Sequence, residues 1–216
     1  MSTTDLSTWA PCPRPSAEIP IGSTVRLEPL NWEAHEQGLF AIVGGKKNAR
    51  LWDYVSVGPY LDPATFQKSF AETCVEKGWE TKVIHEVVSG KVLGMFSFLR
   101  IRQKHGSIEI GCVVFGYALQ RTLKATEALL LMARHVFDDL GYRRYEWKCD
   151  TQNLASSRAA MRFGFTYEGT FRNDMVSKGH SRDTAWYSIT DAEWPAVCAA
   201  LDAWLAHKIL IRTARR

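Results

Sequence analysis

The junction between a predicted strand and a predicted helix carries residues that could bind a phosphate group. The stretch VVFGYALQRTLKATEALLLMARHVF runs from Val113 to Phe137, and its loop, residues 120–126, contains Arg121, Lys124 and two threonine hydroxyls. The first amides of a helix have no intrahelical acceptor and lie at the positive end of the helix dipole, which suits a phosphate. The loop has no glycine and matches neither the GxxxxGK[ST] nor the GxGxxG spacing. From these residues alone, a phosphate site and a capped helix with ordinary surface charges both stay open.

Metal and disulfide chemistry find little support in the sequence. The six histidines show no H-x-x-x-H spacing, and the five cysteines are widely spread with no CxxC pair. These patterns favour neither a zinc site nor a disulfide framework, and we expect no metal. Cys112 and Cys149 fall within predicted strands, where a buried small apolar residue is a more frequent role than a catalytic nucleophile.

Composition limits the class of protein. The 216 residues are 46% hydrophobic and 23% charged, as in one globular domain. The longest apolar runs, such as residues 128–133, are far shorter than the ~20 residues of a membrane span. Residues 1–20 lack the basic and apolar regions of a secretory signal, so we expect a cytoplasmic protein with no membrane partner. The formal net charge of +4 is mild, and the basic stretch at residues 142–148 alternates as a strand does, which argues against nucleic-acid binding.

The order of predicted elements is typical of a mixed α/β layer fold. A strand, two helices, a hairpin and a fourth strand precede the helix that begins near Leu123. A fifth strand, a short helix, a long hairpin with its turn near Gly179 and a closing helix follow. Asn31, Asp62 and Asn153 are predicted N-caps. The helix from Leu123 is expected to present one apolar face, formed by Ala125, Ala128, Leu129, Met132 and Val136. No internal repeat and no linker interrupts the chain, which predicts a single domain.

Three pieces of the sequence, in this order and spacing, resemble the GCN5-related N-acetyltransferase (GNAT) superfamily. ATEALLLMARHVFDDLGYRR stands where these enzymes have the helix that follows their pyrophosphate loop. NLASSRAAMRFGF fits the family's N-x-x-S…G-F pattern, and YEGTFRN…G…RDTAWYSI is similar to its closing hairpin. Within the superfamily the chain looks closest to the ribosomal-protein alanine acetyltransferase-like branch. The resemblance covers about residues 23–195.

The resemblance implies a single-domain GNAT-like α/β fold. Its mixed central sheet would have about seven strands, with four to five helices on both faces. We assign residues 1–22 to a flexible N-terminal arm, residues 23–209 to the acetyltransferase domain and residues 210–216 to a basic C-terminal tail.

The resemblance also implies acetyl-CoA as the co-substrate. Its pyrophosphate would lie on the loop before the helix, and its pantetheine along the fourth strand with Asn153 beside it. The residues expected to bind it are Val113, Val114, Phe115, Gln120, Arg121, Thr122, Leu123, Lys124, Ala125, Thr126 and Asn153. Arg121 and Leu123 stand where relatives have glycines, so this loop departs from the family's pattern.

In this superfamily a free amine attacks the thioester directly through a tetrahedral intermediate, whose oxyanion a backbone N–H of the fourth strand stabilises. The resemblance places Ser156 near the thiol, as a candidate proton donor to the leaving thiolate. Its alternative role is to satisfy the first turn of its own helix. The family's hairpin glutamate aligns with Met175, which cannot take a proton, and Asp174 would face the other side of a regular strand. Glu109 is therefore the candidate base, and its alternative role is to pair with a strand neighbour.

The acceptor pocket is expected in the region between the first two helices, with Trp52 and Tyr54 as aromatic walls that carry polar tips. The acceptor is a small-molecule amine or a protein N-terminus. A larger acyl-CoA donor and a non-catalytic CoA-binding or regulatory role stay as alternatives. The last helix has an apolar face that could pack on its own sheet or form a homodimer. Its residues are Val197, Leu201, Trp204 and Leu205.

Overall fold

The computed structural model describes residues 5–15 and 21–214, which form a seven-stranded sheet and five α-helices. The strands are β1 (Val25–Pro29), β2 (Glu80–Glu86), β3 (Val92–Arg102), β4 (Ser107–Phe115), β5 (Arg144–Asp150), β6 (Thr166–Ser177) and β7 (His180–Thr190). The helices are α1 (Trp32–Val43), α2 (Pro63–Lys77), α3 (Leu123–Arg134), α4 (Leu154–Arg162) and α5 (Trp194–Ala214). Short 3-10 segments span Lys46–Trp52 and Gln103–His105, and a π-helical turn spans His135–Asp139.

The sheet has the strand order β1-β2-β3-β4-β5-β7-β6 and contains one parallel pair, β4 with β5. All the other neighbours are antiparallel. The mixed α/β fold class with a sheet of about seven strands, expected from the sequence, is confirmed.

Each face of the sheet carries its own core, as the alternation of side chains along a strand requires. On β2, Val83 packs with residues of α1 and α2, while its neighbour Ile84 packs with residues of α3. On β3, Met95 and Phe96 divide between the two cores in the same way. The sheet is therefore covered on both sides, and any ligand must enter at an edge or through a gap between strands.

Local sequence sets the ends of the helices. The side chains of Asn31, Asp62 and Asn153 accept hydrogen bonds from the amides of the first turns of α1, α2 and α4. These bonds satisfy donors that no helical carbonyl can reach, so all three predicted caps are confirmed. Gly78 ends α2 in the left-handed conformation with φ 62°, where glycine has no side chain to strain.

Helix α3 differs from the one-faced helix that its sequence pattern predicts. Every residue from Ala125 to Ala133 is buried, including Thr126 and Glu127. The carboxylate of Glu127 accepts hydrogen bonds from the amides of residues 23–25 and from the hydroxyl of Thr24, so the start of β1 lies against the helix. A charged glutamate is expected in solvent, but these hydrogen-bond donors offset the free-energy cost of burying the carboxylate of Glu127.

The described N-terminal segment, residues 5–15, packs onto the domain through Cys12 and Pro13. Cys12 is buried in the core, and the amide of Cys12 donates to the carbonyl of Gln103 at 3.0 Å. The hydroxyl of Tyr142 donates to the carbonyl of Pro13 at 3.0 Å, which holds the segment assigned to an N-terminal arm. Residues 1–4 and 16–20 of that arm lie outside the described residues. At the other end, α5 continues to Ala214, so the expected boundary at residues 209–210 falls inside a helix, and residues 215–216 are not described.

The apolar face of α5 packs on its own domain. Leu205 is buried in the core, while Val197 and Leu201 pack against it. The ring of Trp204 lies 5.7 Å from the guanidinium carbon of Arg162. None of the described helices combines the length and the apolar character that a bilayer span needs. The homodimer and the cytoplasmic location stay predictions.

Candidate functional site

A gap opens between β4 and β5 where their pairing stops. The parallel ladder runs from Ser107 opposite Arg144 to Ile110 opposite Trp147, and no pair follows. Beyond this point β4 contains a bulge, because residues 112–113 lie opposite the single residue Phe96 of β3. A bulge bends and twists its strand, and Cys112, with φ 45°, takes up the bend. The edge of β4 that faces β5 is thus left without a partner strand from Gly111 onward.

The gap forms part of a cavity of about 300 Å³, at the lower end of the size range of small-molecule sites. Its walls come from the strands on both sides of the gap, from the start of α4, from the segment after Lys46–Trp52 and from the β6–β7 hairpin. The lining residues are Leu51, Tyr54, Val55, Ser56, Trp79, Leu99, Arg100, Glu109, Ile110, Gly111, Cys112, Val113, Trp147, Lys148, Cys149, Asn153, Ser156, Met175 and Arg182.

The loop that follows β4 turns directly into α3. The amides of Leu119 and Gln120 donate to the carbonyl of Gly116, and the amide of Thr122 donates to the carbonyl of Leu119. The hydroxyl of Thr122 accepts the amide of Ala125 at 3.3 Å and caps the helix. The earlier first-turn amides, those of residues 123 and 124, have no intrahelical acceptor, as at any helix start. They form the kind of N–H cluster that binds phosphate.

Arg121 occupies the loop in the left-handed conformation, with φ 59°. This is the backbone geometry that a glycine adopts at no cost, and a residue with a side chain pays about 1–2 kcal/mol for it. The loop therefore keeps a glycine-like path at one of the two positions where the related loop has glycine. Its side chain is exposed.

The other polar side chains of the loop are already engaged. Lys124 forms an ion pair with Glu86 of β2. The side-chain amide of Gln120 donates from Nε2 to the carbonyl of Phe115 at 3.0 Å. Thr126 is fully buried and its hydroxyl accepts from Arg162 at 3.1 Å, so its side chain lies in the core instead of at the loop surface. Ala125 is also buried, and among the predicted loop residues Arg121 carries the exposed positive charge.

The start of α4 brings two predicted site residues to the cavity. The side-chain oxygen of Asn153 accepts the amide of Ser156 at 3.0 Å. The hydroxyl of Ser156 accepts the indole N–H of Trp147 at 2.9 Å. A serine hydroxyl has one hydrogen and two lone pairs, so this contact leaves its own hydrogen available for donation. The cap and the indole together fix where that hydroxyl lies.

Glu109 is 5% exposed and lines the cavity. One carboxylate oxygen lies 2.8 Å from the ammonium nitrogen of Lys148 and 3.8 Å from Nε of Arg100. Burial raises the pKa of Glu109 above its ordinary value, and the charges of Lys148 and Arg100 oppose that rise. A buried carboxylate with a raised pKa is a better proton acceptor than an exposed one.

The two aromatic residues predicted to form the acceptor pocket have different positions. Tyr54 lines the cavity and is 44% exposed. Trp52 is fully buried, and its indole N–H donates to the carbonyl of Val43 at 2.7 Å. The ring of Trp52 packs edge-on against Tyr60 in an aromatic cluster between α1 and α2. The prediction that Trp52 forms a wall of the acceptor pocket is therefore wrong. Trp52 is a core residue, because its indole N–H is satisfied by a backbone carbonyl inside the protein.

The hairpin of β6 and β7 places Met175, and not an acidic residue, at the cavity. Strand β6 is irregular here, since residues 172–174 lie opposite the single residue Asp183. The carboxylate of Asp183 accepts the amide of Asn173 at 2.7 Å. Asp174 is exposed and does not line the cavity.

A set of basic side chains in the cavity was not predicted from the sequence. Arg100, Lys148 and Arg182 belong to three different strands, and all line the cavity. Both Arg100 and Lys148 also lie over the ring of Trp186, at 5.2 Å and 4.7 Å. Each is a single basic residue in an alternating strand, so no local sequence signal distinguishes it from a surface charge.

Glu28, His35 and His85 form a second polar cluster, with one potential ligand atom from each within 4.8 Å of the others. Nδ1 of His35 accepts the amide of Asn31, so Nε2 carries the proton and donates to Glu28 at 3.1 Å. His35 in this state has no free lone pair for a metal, and the cluster attaches α1 to β1 and β2. No sequence spacing revealed it. The expected absence of a metal stays a prediction.

The comparisons with known proteins agree with this geometry. The family model described as Acetyltransferase (GNAT) domain matches residues 24–166. The chain is similar to a crystal structure of a GCN5-related N-acetyltransferase from Brucella melitensis, with 42% identity and a TM-score of 0.87 over 93% of this chain and 90% of that one. A probable acetyltransferase of the GNAT family from Chromobacterium violaceum is 38% identical, with a TM-score of 0.83 over 90% of this chain and 97% of that one.

A curated sequence relative gives the same result. The uncharacterized N-acetyltransferase YoaA of Bacillus subtilis is 26% identical over 153 residues, which are 71% of this chain and 86% of the relative. The chain belongs to the GNAT acetyltransferase family. It is an acetyltransferase that depends on acetyl-CoA, as the sequence predicted.

Two replacements of Arg121 should distinguish the effect of its backbone conformation on stability from the effect of its side-chain charge. Glycine relieves the left-handed conformation, so Arg121→Gly should be about 1 kcal/mol more stable than Arg121→Ala, which keeps the strain. Both variants lose the same side-chain charge. Urea unfolding of the two proteins measures the difference. Equal stabilities would contradict the left-handed conformation at this position.

Proposed function

We propose that this chain transfers the acetyl group of acetyl-CoA to a primary amine by direct attack of that amine in the cavity between β4 and β5. One observation carries the proposal. The unpaired edge of β4 lines the same cavity as Ser156 and Glu109, and the strand leads directly into the loop at the start of α3.

The residues of the gap and the loop fit acetyl-CoA. The edge of β4 from residue 111 to residue 115 has no partner on the β5 side, so its backbone groups suit an extended ligand that adds as a strand. Val113 lines the cavity, whereas the side chain of Val114 lies in the core and offers only its backbone. The amides at the start of α3 suit the pyrophosphate, with the exposed charge of Arg121 beside them. Bound acetyl-CoA supplies a thioester carbonyl and a thiolate leaving group.

Ser156 is proposed as the donor that protonates the leaving group. Its hydroxyl accepts from Trp147, so its hydrogen is free to be donated into the cavity. The cap made by Asn153 fixes the first turn of α4 and with it the position of this hydroxyl. The proposed role of Ser156 as proton donor therefore depends on its contacts with Trp147 and Asn153, neither of which touches the reacting atoms.

Glu109 is proposed as the proton acceptor for the amine. At pH 7 an α-amine with a pKa near 8 needs about 1.4 kcal/mol to lose its proton, and a lysine amine near 10.4 needs about 4.6 kcal/mol. A buried carboxylate with a raised pKa can take that proton, directly or through a water. The ammonium of Lys148 holds the carboxylate in place at 2.8 Å.

The cysteines of the cavity support direct transfer over a covalent enzyme intermediate. Cys112 is buried, and burial raises the pKa of its thiol above the ordinary value. The thiolate is the nucleophilic form, so a thiol with a raised pKa is a poor nucleophile at neutral pH. Cys149 is also buried, and its sulfur lies 3.4 Å from the hydroxyl of Ser157.

Proteins of this fold act on different amines. One is a spermidine N-acetyltransferase from Vibrio cholerae, solved with CoA and spermine and 14% identical to this chain. Another, from Salmonella typhimurium and 23% identical, modifies the N-terminal serine of the ribosomal protein L7/L12. At these identities they share the fold with this chain and no more. The ribosomal-protein branch suggested by the sequence is thus one acceptor hypothesis beside a small amine.

Thermal unfolding with acetyl-CoA, CoA and succinyl-CoA tests the cofactor site. A ligand at 100 times its dissociation constant stabilises the folded state by about 2.7 kcal/mol, or roughly 5–10 °C in Tm for a chain of this size. We expect acetyl-CoA and CoA to raise Tm by this order. No shift with any of the three at millimolar concentration would overturn the proposal. A shift with succinyl-CoA, together with faster turnover, would instead indicate a larger acyl donor.

Removal of the Ser156 hydroxyl should slow turnover without releasing the cofactor. We expect Ser156→Ala to lower kcat about 10- to 100-fold while the dissociation constant of acetyl-CoA changes little. The variant also leaves the indole N–H of Trp147 without its acceptor, so a modest fall in Tm is expected. Thiol release measures turnover.

Ser157→Ala is the matched control for this experiment. Ser157 is the next residue of the same helix, and its hydroxyl contacts Cys149 and does not line the cavity. If both alanine variants turn over at the wild-type rate, Ser156 has no part in the mechanism.

Glu109 should set the acidic limb of the pH profile. Its folded pKa lies above the ordinary value, so the carboxyl is protonated, and unable to accept a proton, up to a higher pH than an exposed glutamate. We expect log kcat/KM to fall as pH decreases through that raised pKa. Glu109→Gln should lose about 100-fold in kcat at pH 7 and show no such limb. Acetyl-CoA affinity and Tm are measured alongside, because the substitution removes the partner of Lys148. A variant that keeps the wild-type limb would assign the base to another group.

A further inference from the structure

The cavity has an excess of positive charge. Arg100, Lys148 and Arg182 line it, and among the described residues that line it Glu109 is the one with a carboxylate. With all four ionised, three positive charges and one negative charge leave a local balance of +2. Lys148 is the closest partner of Glu109, at 2.8 Å, and the two side chains are 12% and 6% exposed. The charge of Glu109 is thus largely compensated before any acceptor enters.

The other two cations are only weakly compensated. Arg100 lies 3.8 Å from the same carboxylate oxygen, and its side chain is 45% exposed. Nε of Arg182 donates to the hydroxyl of Thr184 at 3.1 Å, and no carboxylate of the described residues forms an ion pair with Arg182. Its neighbour Asp183 accepts the amide of Asn173. The terminal nitrogens of Arg182 are therefore available to a ligand.

Contacts with neighbouring side chains also orient the cations. Arg182 lies on β7 opposite Met175 of β6, which lines the cavity with it. Arg100 of β3 and Lys148 of β5 both lie over the ring of Trp186, which is on β7 with Arg182. A guanidinium that is already oriented by a side-chain hydrogen bond loses less entropy when it binds an anion, and its planar donors match a carboxylate or a phosphate.

We propose that the acceptor is a small amine that also carries an anionic group, a carboxylate or a phosphate, and that Arg182, assisted by Arg100, binds this group. The proposal rests on the proposed function, because it names the substrate class of the same cavity. Polyamines are disfavoured by the same cations. The positive charges of the cavity also disfavour the ammonium form of the bound acceptor. They lower the pKa of its amine, so more of it is unprotonated near neutral pH.

Matched acceptors test the proposal in the wild-type enzyme. The panel compares L-phenylalanine with L-phenylalaninamide, O-phosphoethanolamine with ethanolamine, and both pairs with spermidine, each with saturating acetyl-CoA. We expect kcat/KM to be about 10-fold or more higher for the anionic member of at least one pair, as a hydrogen bond to a charged group allows. The carboxylate and phosphate pairs separate the two sources of the anion.

Two variants connect the preference to Arg182. In Arg182→Gln, the ratio of kcat/KM for the anionic acceptor to that for its neutral partner should fall about 10-fold. Arg172→Gln removes the same charge from an exposed residue of the same hairpin that does not line the cavity, and it should keep the wild-type ratio. If Arg182→Gln does not fold, as judged by Tm, Arg100→Gln is measured for the same fall in the ratio.

The outcomes separate this inference from the function on which it rests. Efficient acetylation of the neutral amines or spermidine, with no preference for the anionic members, would overturn the inference and leave the acetyltransferase function intact. An unchanged ratio in both Arg182→Gln and Arg100→Gln would do the same. Acetyl-CoA binding without turnover of any amine would overturn both the inference and the proposed reaction.

Discussion

The site depends on one interruption in the hydrogen bonding of the sheet. Among the described strands, β4 and β5 are the one parallel pair, and their ladder ends after Ile110 and Trp147. A bulge at residues 112–113 bends β4 just beyond this point, where β5 no longer pairs with it. Exposed strand edges normally invite pairing, and here the free edge lies inside the domain, where a ligand can use it. The cavity, the position of Ser156 and the path into α3 all follow from this divergence.

The sequence predicted the elements well, because the signals for them are local. The caps at Asn31, Asp62 and Asn153 and the turn near Gly179 depend on neighbouring residues alone. The pyrophosphate-binding role of the loop before α3 was predicted only from the family resemblance. The loop has no glycine, so no phosphate-loop motif could indicate that role. Arg121 has the left-handed backbone conformation that glycine usually adopts. The loop thus keeps a glycine-like backbone at this position without a glycine, and a motif based on residue types misses it.

The electrostatics of the cavity could not be predicted in the same way. Arg100, Lys148 and Arg182 are far apart in the chain and meet only because three strands surround one gap. Burial could not be predicted from residue type either. Trp52 was expected to line the acceptor pocket, yet it lies in the core, where its indole N–H donates to a backbone carbonyl. Hydrogen-bond partners distant in sequence decide such cases, and periodicity carries no information about them.

The contacts of Glu127 have a consequence for the order in which the chain can assemble. This carboxylate binds the start of β1 across about a hundred residues, and Tyr142 holds Pro13 across a longer stretch. The first strand therefore cannot reach its final surroundings until Glu127, more than half way along the chain, has left the ribosome. Pairings of such long range slow folding, because the chain must close a large loop before it gains their energy. The strand that is made first therefore completes its contacts only after helix α3 has been made.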